Sequence, residues 1–514
     1  MESPLRPSSL PPATLGSLVA GLGLVGDTDS RVAVSGITLD SRSVEPGWLY
    51  VALPGSRAHG AAFSEAAVEA GAAAILTDDA GRELIGASLV PVVAALDVRS
   101  AMATVSARLF GEPGRQMTML GVTGTNGKTT TVALLQSGLM AADVHTGTIG
   151  TIGFRLDAEE LRSSRTTVTT PESPDLQSLL AVMQRRGAGA VALEVSSHAL
   201  ALGRVDAIGF DVVGFLNLGR DHLDFHKSME DYFEAKARLF EPGRSAVSVI
   251  WVDDQHGAEL AGRVLAHGRS RLVTVGTAPG VDYRPSGYRA DGAFGGRAVV
   301  ARGGESLELR IGMPGEYNMV DAVVALAMLE AVGVPTDAAL RGLAVAQVPG
   351  RMQRVHLGDD APTVVVDFAH TPQAVEAAVG SLSDVGPVIS VLGCGGDRDP
   401  EKREGMGAAA ARGSRVTIIT DDNPRTEDPA AIRAQTLAGA RGVGGAEVVE
   451  VAGRRAAIEE ALRRATSDSV VAILGKGHER GQILADRTVD FDDVEEATLA
   501  WRRLREEGDK NARS

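Results

Sequence analysis

The apolar run Met117–Val122 leads into Thr123-Gly124-Thr125-Asn126-Gly127-Lys128-Thr129-Thr130 and then into the helical pattern Thr131–Met140. A strand, a glycine loop and a helix in that order aim backbone N–H groups and the positive end of a helix dipole at phosphate. The arrangement needs a buried sheet strand to deliver the loop, which narrows the fold to the α/β classes. Gly124 and Gly127 let the chain approach a polyphosphate without a side chain in the way. Lys128 is suited to neutralising phosphate charge, and Thr129 to reaching Mg²⁺. The usual first glycine of such a loop falls at Val122, with Gly121 one place early. A tight turn with a solvated lysine is the bland alternative, but two glycines, a lysine and two threonines between strand and helix favour nucleotide binding.

At 514 residues the chain exceeds the size of one hydrophobic core, and three domains are expected. Short apolar runs alternate with turns in the first segment, as in Val32-Ala-Val34 and Leu49–Leu53. Helical spacing follows over Phe63–Ala73, and a strand-like run over Ala74–Leu76. The breaker cluster Gly111-Glu-Pro-Gly114 closes this small α/β unit. Buried-strand patterns at Ala190–Glu194 and Val212–Asn217 extend a central parallel sheet that ends near Pro349-Gly350. Beyond it, Thr363–Asp367, Val388–Leu392, Val416–Thr420, Val448–Val451 and Val470–Leu474 alternate with helical segments such as Pro429–Arg441. That rhythm predicts a third, doubly wound, Rossmann-like domain. The expected division is 1–112, 113–348 and 349–514.

Charge removes several function classes. There are 51 Lys and Arg against 66 Asp and Glu, a formal net charge of −15. Nucleic acid is a poor partner for such a chain, because backbone affinity needs clustered cations. The lone Cys394 excludes an intrachain disulfide framework and suits a reducing compartment. Leu15–Gly26 follows Pro11 and Pro12 without a basic start, and reads as a first core helix rather than a targeting segment. No apolar run approaches the roughly 20 residues needed to cross a bilayer. The cytoplasm is the expected location.

Two further clusters carry chemistry. Glu194 ends a predicted strand and is followed by Val195-Ser196-Ser197-His198; at the carboxyl edge of a parallel sheet it would face the ligand crevice. The next strand runs into Asn217-Leu-Gly-Arg220-Asp221-His222-Leu-Asp224-Phe-His226, dense in ligating groups. Glu194 and His222 are the metal candidates. Zinc is conceivable for His222 and His226, four apart, but HExxH is absent and Mg²⁺ suits the phosphate loop better. Met229, Tyr232, Phe233, Lys236 and Phe240 recur at helical spacing, which puts Lys236 on an apolar face. An ammonium there must snorkel, find an anion or lose its charge. Neutralisation followed by reaction with CO₂ would convert it into a metal-binding carbamate.

Together, Gly124–Thr130, Glu194–His198, Asp221–His226 and Lys236 resemble the Mur ligases, ATP-dependent amino-acid-adding enzymes of peptidoglycan synthesis, and the resemblance runs essentially end to end. It implies a three-domain α/β architecture with a central P-loop ATPase domain, Mg²⁺, ATP as co-substrate, and a carbamylated Lys236 that uses CO₂. Catalytic roles would fall to Lys128, Glu194, His222 and Lys236, with Thr129, Glu194, His222 and the Lys236 carbamate at the metal. Further segments that match are Leu39-Asp-Ser41-Arg42, Ser56-Arg57-Ala58, Thr169-Thr170-Pro171, Asp367-Phe-Ala-His370-Thr-Pro372, Gly396-Asp-Arg398-Asp399, Asp422-Asn423-Pro424-Arg425 and Gly475-Lys-Gly-His-Glu479. By resemblance, Leu39, Ser41, Ser56, Arg57 and Ala58 would hold the UDP end of UDP-N-acetylmuramoyl-L-alanyl-D-glutamate. Thr169, Thr170, Ser196 and Arg204 would hold its muramoyl-peptide portion. Gly124, Thr125, Asn126, Gly127, Lys128, Thr129, Thr130, Asn318 and Arg351 would contact ATP. Arg398, Asp422, Asn423, Pro424, Arg425, Gly475 and Glu479 would surround incoming meso-diaminopimelate, because the family's Asp-Asn-Pro-Arg motif marks its addition rather than that of lysine. Leu202 and Asp321 depart from residues frequent in relatives.

The expected reaction passes through an acyl phosphate, with a monomer serving small-molecule substrates and neither nucleic acid nor membrane. His370 and Glu479 are possible bases for the amine, though capping or binding roles suit them equally. A lysine-adding relative, a folylpolyglutamate synthetase or a nonenzymatic nucleotide switch are the competing readings.

Overall fold

The computed structural model describes residues 6, 7, 10, 13–55, 57–161, 168–291, 295–358 and 360–513, with side chains through residue 507. The chain forms two compact units: Met1–Thr274 with Ala327–Ala338, and Val275–Leu326 with Ala339–Ser514.

Among the described residues the first unit holds two larger sheets and a two-stranded pairing of Ala13–Thr14 with Ala33–Val34. In the N-terminal one, Gly36–Thr38, Trp48–Val51, Ala74–Thr77 and Val92–Ala94 lie side by side and parallel, with Val25–Gly26 antiparallel at the edge. Every residue of Trp48–Val51 and Ala74–Thr77 is buried, as expected of strands covered on both faces. The predicted helix over Leu15–Gly26 is much shorter. Thr14 and Ser17 form a reciprocal capping box, yet the helix stops at Val19 because Ala20 turns extended and Gly21 and Gly23 take φ of 73° and 66°. The helix expected over Phe63–Ala73 likewise spans Ser64–Glu69, and Gly71 sits at φ 103°.

The second sheet of this unit runs in the order Glu159–Glu160, Gly153–Leu156, Thr146–Gly150, Ala190–Glu194, Thr118–Thr123, Phe210–Phe215, Ser245–Trp251, Arg271–Val275. Its five strands from Thr146–Gly150 to Ser245–Trp251 are parallel. Thr118–Thr123 is therefore central, and its register sets Glu194 beside Val122 and Phe215 beside Thr123. The loops that leave all three strands emerge together at one sheet edge.

In the second unit, Gln353–Val355, Thr363–Asp367, Val470–Leu474, Val388–Cys394, Val416–Asp421 and Glu447–Glu450 form a six-stranded sheet, parallel except for its first strand. Pro372–Ser383, Lys402–Gly413 and Pro429–Arg441 pack one apolar cluster against it. Arg454–Arg464 and the helix from Asp493 pack another. This is the doubly wound arrangement the alternating pattern predicts. Three antiparallel strands, Tyr283–Ala290, Gly296–Arg302 and Glu305–Ile311, and the antiparallel pair Gln482–Ile483 with Thr488–Val489 also belong to the unit. Among the described residues no helix is long and apolar enough to cross a membrane.

Candidate active site

The loop after Thr118–Thr123 has the geometry of a phosphate cradle. Gly127 takes φ 87° and caps the helix Lys128–Met140, a conformation that strains any side chain. A Cβ on Gly124 would stand 3.0 Å from Leu216 Cβ. Gly121 has another duty: a Cβ there would meet the Phe210 ring at 2.8 Å, so it is a packing glycine inside the strand. Asn217 braces the loop, accepting the Asn126 N–H at 2.9 Å and donating to Asn126 O at 3.2 Å. Thr125 Oγ1 takes the Gly219 N–H at 2.9 Å. Thr129 and Thr130 are buried in the first turn. Lys128 Nζ donates to Gly124 O at 2.8 Å and Thr125 O at 2.9 Å.

Lys236 reaches the same carbonyl. Its Nζ lies 2.8 Å from Gly124 O and 4.5 Å from the Tyr232 ring centroid, and the residue is 1% exposed. It does not snorkel. Burial, reinforced by the Lys128 charge and opposed by Asp221, drives its ammonium well below the ordinary lysine range. The helix Met229–Ala237, capped by Ser228, carries it with Tyr232 and Phe233 on the buried face.

Glu194 is also buried, and both its oxygens are held: Thr151 N–H donates to Oε1 at 2.8 Å and Thr151 Oγ1 to Oε2 at 3.0 Å. A Cβ on Gly150 would stand 2.2 Å from Oε1, so glycine is required beside it. His222 takes φ 55°, with its ring 4.9 Å from that of His198. Burial lowers His222, and burial with His222 and His226 nearby pushes His198 down to about 4. His226 has a protein partner on each side of its ring, Nε2 pairing with Ser197 Oγ at 2.9 Å and Nδ1 lying 3.7 Å from Asp231 Oδ2. Among the described residues no three His, Cys, Asp or Glu side chains are arranged to hold a metal ion. The donor chemistry nevertheless fits a hard cation if Lys236 is carbamylated: a carboxylate, a hydroxyl, a neutral imidazole and a carbamate.

Around Glu194 the structure gathers the peptide-binding candidates. Thr169 Oγ1 lies 3.1 Å from Thr151 Oγ1, and Thr170 Oγ1 donates to Glu194 O at 2.7 Å. Ser196 caps the helix Ser197–Ala201 and gives its N–H to Thr170 Oγ1 at 3.2 Å. Arg204 donates to Glu172 Oε1 at 2.9 Å and Thr170 O at 2.9 Å, while Arg99 takes Oε2 of the same carboxylate at 3.1 Å. Leu39, Ser41, Arg57 and Ala58 sit on the N-terminal sheet, in loops leaving the adjacent strands Gly36–Thr38 and Trp48–Val51. His59 ties the second loop down through Asp78 Oδ1 at 3.0 Å. Ser56 lies outside the described residues.

In the second unit Asn318 is buried and donates to Pro314 O at 2.6 Å, and the Arg351 guanidinium lies 4.4 Å from the Phe368 ring centroid. Its predecessor Gly350 takes φ 66°, and a Cβ there would strike His478 N at 2.1 Å. His370 Nδ1 pairs with Phe368 O at 2.9 Å.

The amino-acid candidates converge because Val470–Leu474, Val388–Cys394 and Val416–Asp421 are neighbours. Asn423 Nδ2 donates to Glu479 Oε2 at 2.7 Å, and Gly475 takes φ 110° within 2.7 Å, at its Cβ position, of Asp422 Oδ2. Burial raises Asp422, opposed by Arg454 and Lys476. Arg425, at φ 52°, donates to Gly396 O at 2.7 Å, and Arg398 is exposed on the neighbouring loop. Sequence reasoning missed Lys476, fully buried, whose Nζ donates to Asn423 Oδ1 at 3.0 Å and Glu479 Oε2 at 3.3 Å. It also missed Thr151, and it named Asn217 only within a run dense in ligating groups, without the bracing role. The Gly-Lys-Gly spacing was a signal for Lys476; Thr151 had none, because its partner is 43 residues away.

Comparison with known proteins covers the whole of this arrangement. Residues 33–109 match the Mur ligase family catalytic domain, 122–329 the Mur ligase middle domain, and 350–477 the Mur ligase glutamate ligase domain. The UDP-N-acetylmuramoyl-L-alanyl-D-glutamate--2,6-diaminopimelate ligase of Streptomyces coelicolor is 44% identical over 501 residues, spanning 95% of this chain and 96% of that one. The ligase of the same name from Streptomyces avermitilis is 43% identical, with 95% and 96% covered. A solved structure under that name superimposes with a TM-score of 0.68 at 31% identity, over 92% of this chain and 96% of the other.

Proposed function

This chain belongs to the Mur ligase family, and from that premise we propose that it joins meso-diaminopimelate to UDP-N-acetylmuramoyl-L-alanyl-D-glutamate with consumption of ATP. It is an amide-forming acid–amino-acid ligase of peptidoglycan precursor synthesis. In this reading residues 1–112 receive the UDP end, 113–348 bind ATP, and 349–514 receive the amino acid. The observation that carries it is the pairing of a phosphate loop with two buried groups at one sheet edge: Lys236, on the loop's own Gly124 carbonyl, and Glu194, in register with the loop strand.

The chemistry follows from that layout. A carboxylate oxygen of the D-glutamyl residue attacks the γ-phosphorus of ATP, and ADP leaves. The diaminopimelate amine then adds to the acyl carbon, a proton leaves nitrogen, and inorganic phosphate departs as the amide forms. Lys128 and the loop N–H groups hold the polyphosphate and offset the charge that develops on the transferring group. Thr170, Ser196 and Arg204 orient the peptide, while Thr151 keeps Glu194 in one rotamer. Glu194, His222, Thr129 and a carbamylated Lys236 would hold Mg²⁺, which when bound supplies Lewis-acid stabilisation of phosphoryl oxygens. Carbamylation needs a neutral lysine amine, and burial of Lys236 favours that form over the ammonium. Arg425 and Arg398 offer guanidinium groups for carboxylates of the incoming amino acid, with Glu479 and Asp422 for its ammonium groups. The proposed setting is the cytoplasm, with the protein a monomer.

The test is isotopic. With ATP, Mg²⁺, UDP-muramoyl-dipeptide and diaminopimelate, ¹⁸O in the substrate carboxylate is expected in the phosphate released, and release should require the amine. Phosphate without ¹⁸O, or release indifferent to any amine, would overturn the reading.

A further inference from the structure

Arg398 and Arg425 stand on different loops, and both loops are strained. Asp397 and Arg425 take φ of 51° and 52°, left-handed backbone that non-glycine residues rarely adopt. Such conformations persist only where surrounding contacts over-determine them. Gly396 N–H donates to Asn423 O at 2.9 Å, and a Cβ on Gly396 would stand 2.0 Å from Pro424 O, so the two loops lie backbone against backbone.

A buried guanidinium locks them. Arg403, in the first turn of the helix Lys402–Gly413, is 2% exposed. Its Nη1 and Nη2 donate to Glu427 Oε2 and Oε1 at 3.0 and 2.8 Å, a bidentate pair. The same groups donate to Gln435 Oε1 at 2.9 Å and Gly395 O at 3.1 Å. Glu427 Oε1 also accepts the Asp397 N–H, and the Asp397 carboxylate in turn accepts the N–H of Thr426 at 3.1 Å and its hydroxyl at 2.8 Å. One chain of bonds thus runs from the helix through Glu427 to Asp397 and back to Thr426, which is the neighbour of Arg425, while Asp397 is the neighbour of Arg398.

The geometry points to Arg403, Glu427, Asp397 and Thr426 as a positioning clamp that sets the separation of Arg398 and Arg425, and thereby the selection of a dicarboxylic diamino acid over a monocarboxylic one. The inference rests on the amino-acid site proposed above. Glu427 is chosen for its position: its two oxygens serve the helix and one loop, and its own backbone belongs to the other. A guanidinium fork recognises a carboxylate only at a fixed distance and angle, so small displacements of either loop weaken the planar pairing more than they weaken simple charge attraction.

The experiment compares wild type, Glu427→Gln and Thr426→Val for KM of each substrate and for kcat/KM with diaminopimelate and with lysine. Glu427→Gln keeps the size and one acceptor while losing the charge, and Thr426→Val removes one hydroxyl at an exposed position. The expected result is a rise of about tenfold in KM for diaminopimelate in Glu427→Gln, with KM for ATP and for the UDP substrate within about twofold and a fall in the diaminopimelate-to-lysine ratio. Thr426→Val should move the same two quantities in the same direction by less. Unchanged diaminopimelate KM in both variants, or an equal rise for all three substrates, would overturn the clamp. A wild type that takes another amine overturns the diaminopimelate reading instead, and the clamp is then judged on KM for that amine.

Discussion

In the proposed reading, chemistry turns on Lys236 and selectivity on Arg425. At Lys236 the physical fact is an amine with 1% exposure, a carbonyl as its hydrogen-bond partner and another lysine drawn to the same oxygen. A charged ammonium is poorly served there, and a carbamate would be an anion facing Lys128. Lys236→Ala is expected to lower kcat by about 100- to 1,000-fold, with partial return when a small carboxylate is supplied. Incubation of wild type with ¹³C-bicarbonate should give a carbamate carbon signal that Lys236→Ala lacks; a fully active Lys236→Ala protein would rule the role out. Arg425 is held by Gly396 O and by its own strained backbone, with its N–H on Ile483 O at 3.1 Å. Lysine as substrate would leave its guanidinium without a carboxylate, a loss larger than any one methylene contributes. Arg425→Ala should therefore reduce the diaminopimelate-to-lysine ratio of kcat/KM by about 100-fold or more, and an unchanged ratio would refute the assignment.

Among the elements, the helix Arg454–Arg464 and the helix beginning at Asp493 are joined by an ion pair with both side chains fully buried. Arg454 Nε and Nη2 each donate to Asp493 at 2.7 Å, and Nη2 also reaches Leu474 O at 3.0 Å, the residue before Gly475. The pair thus supports the strand end from which the loop Gly475–Glu479 departs. Removal of one partner strands the other charge in the core: Asp493→Ala is expected to destabilise the second unit by about 3–5 kcal/mol in denaturant unfolding. Replacing both, Arg454→Met with Asp493→Leu, should recover most of that loss, because the penalty comes from the isolated charge. Equal stability of Asp493→Ala and wild type would contradict this. The strands were largely legible beforehand: Ala190–Glu194, Thr363–Asp367 and Val470–Leu474 have the expected bounds, since fully buried parallel strands read as unbroken apolar runs. The helix at Leu15 was not, because apolar spacing continues past Val19 while two glycines in left-handed backbone end it.

Across the whole molecule, the chain's lone thiol offers a reporter. Cys394 ends a central strand of the second unit, and burial pushes it up to about 11. Since the thiolate is the nucleophile, native protein should resist iodoacetamide at pH 8 and react only as denaturant opens that sheet; rapid native labelling would show the burial to be wrong. The amino-acid sequence by itself determined the α/β character, the phosphate loop with its lysine and threonines, the apolar setting of Lys236 and the family to which all of these belong. Those are properties of residues close together along the chain, where period, spacing and residue type are sufficient. Tertiary structure alone decided that Thr151 holds both oxygens of Glu194, that His226 turns to Ser197, that Asn217 braces Asn126, and that Arg403 bridges two loops through Glu427. Each of these is a contact between residues 24 to 91 positions apart. Hydrogen bonds act over about 3 Å, so their partners are chosen by sheet order and register, which no local pattern encodes.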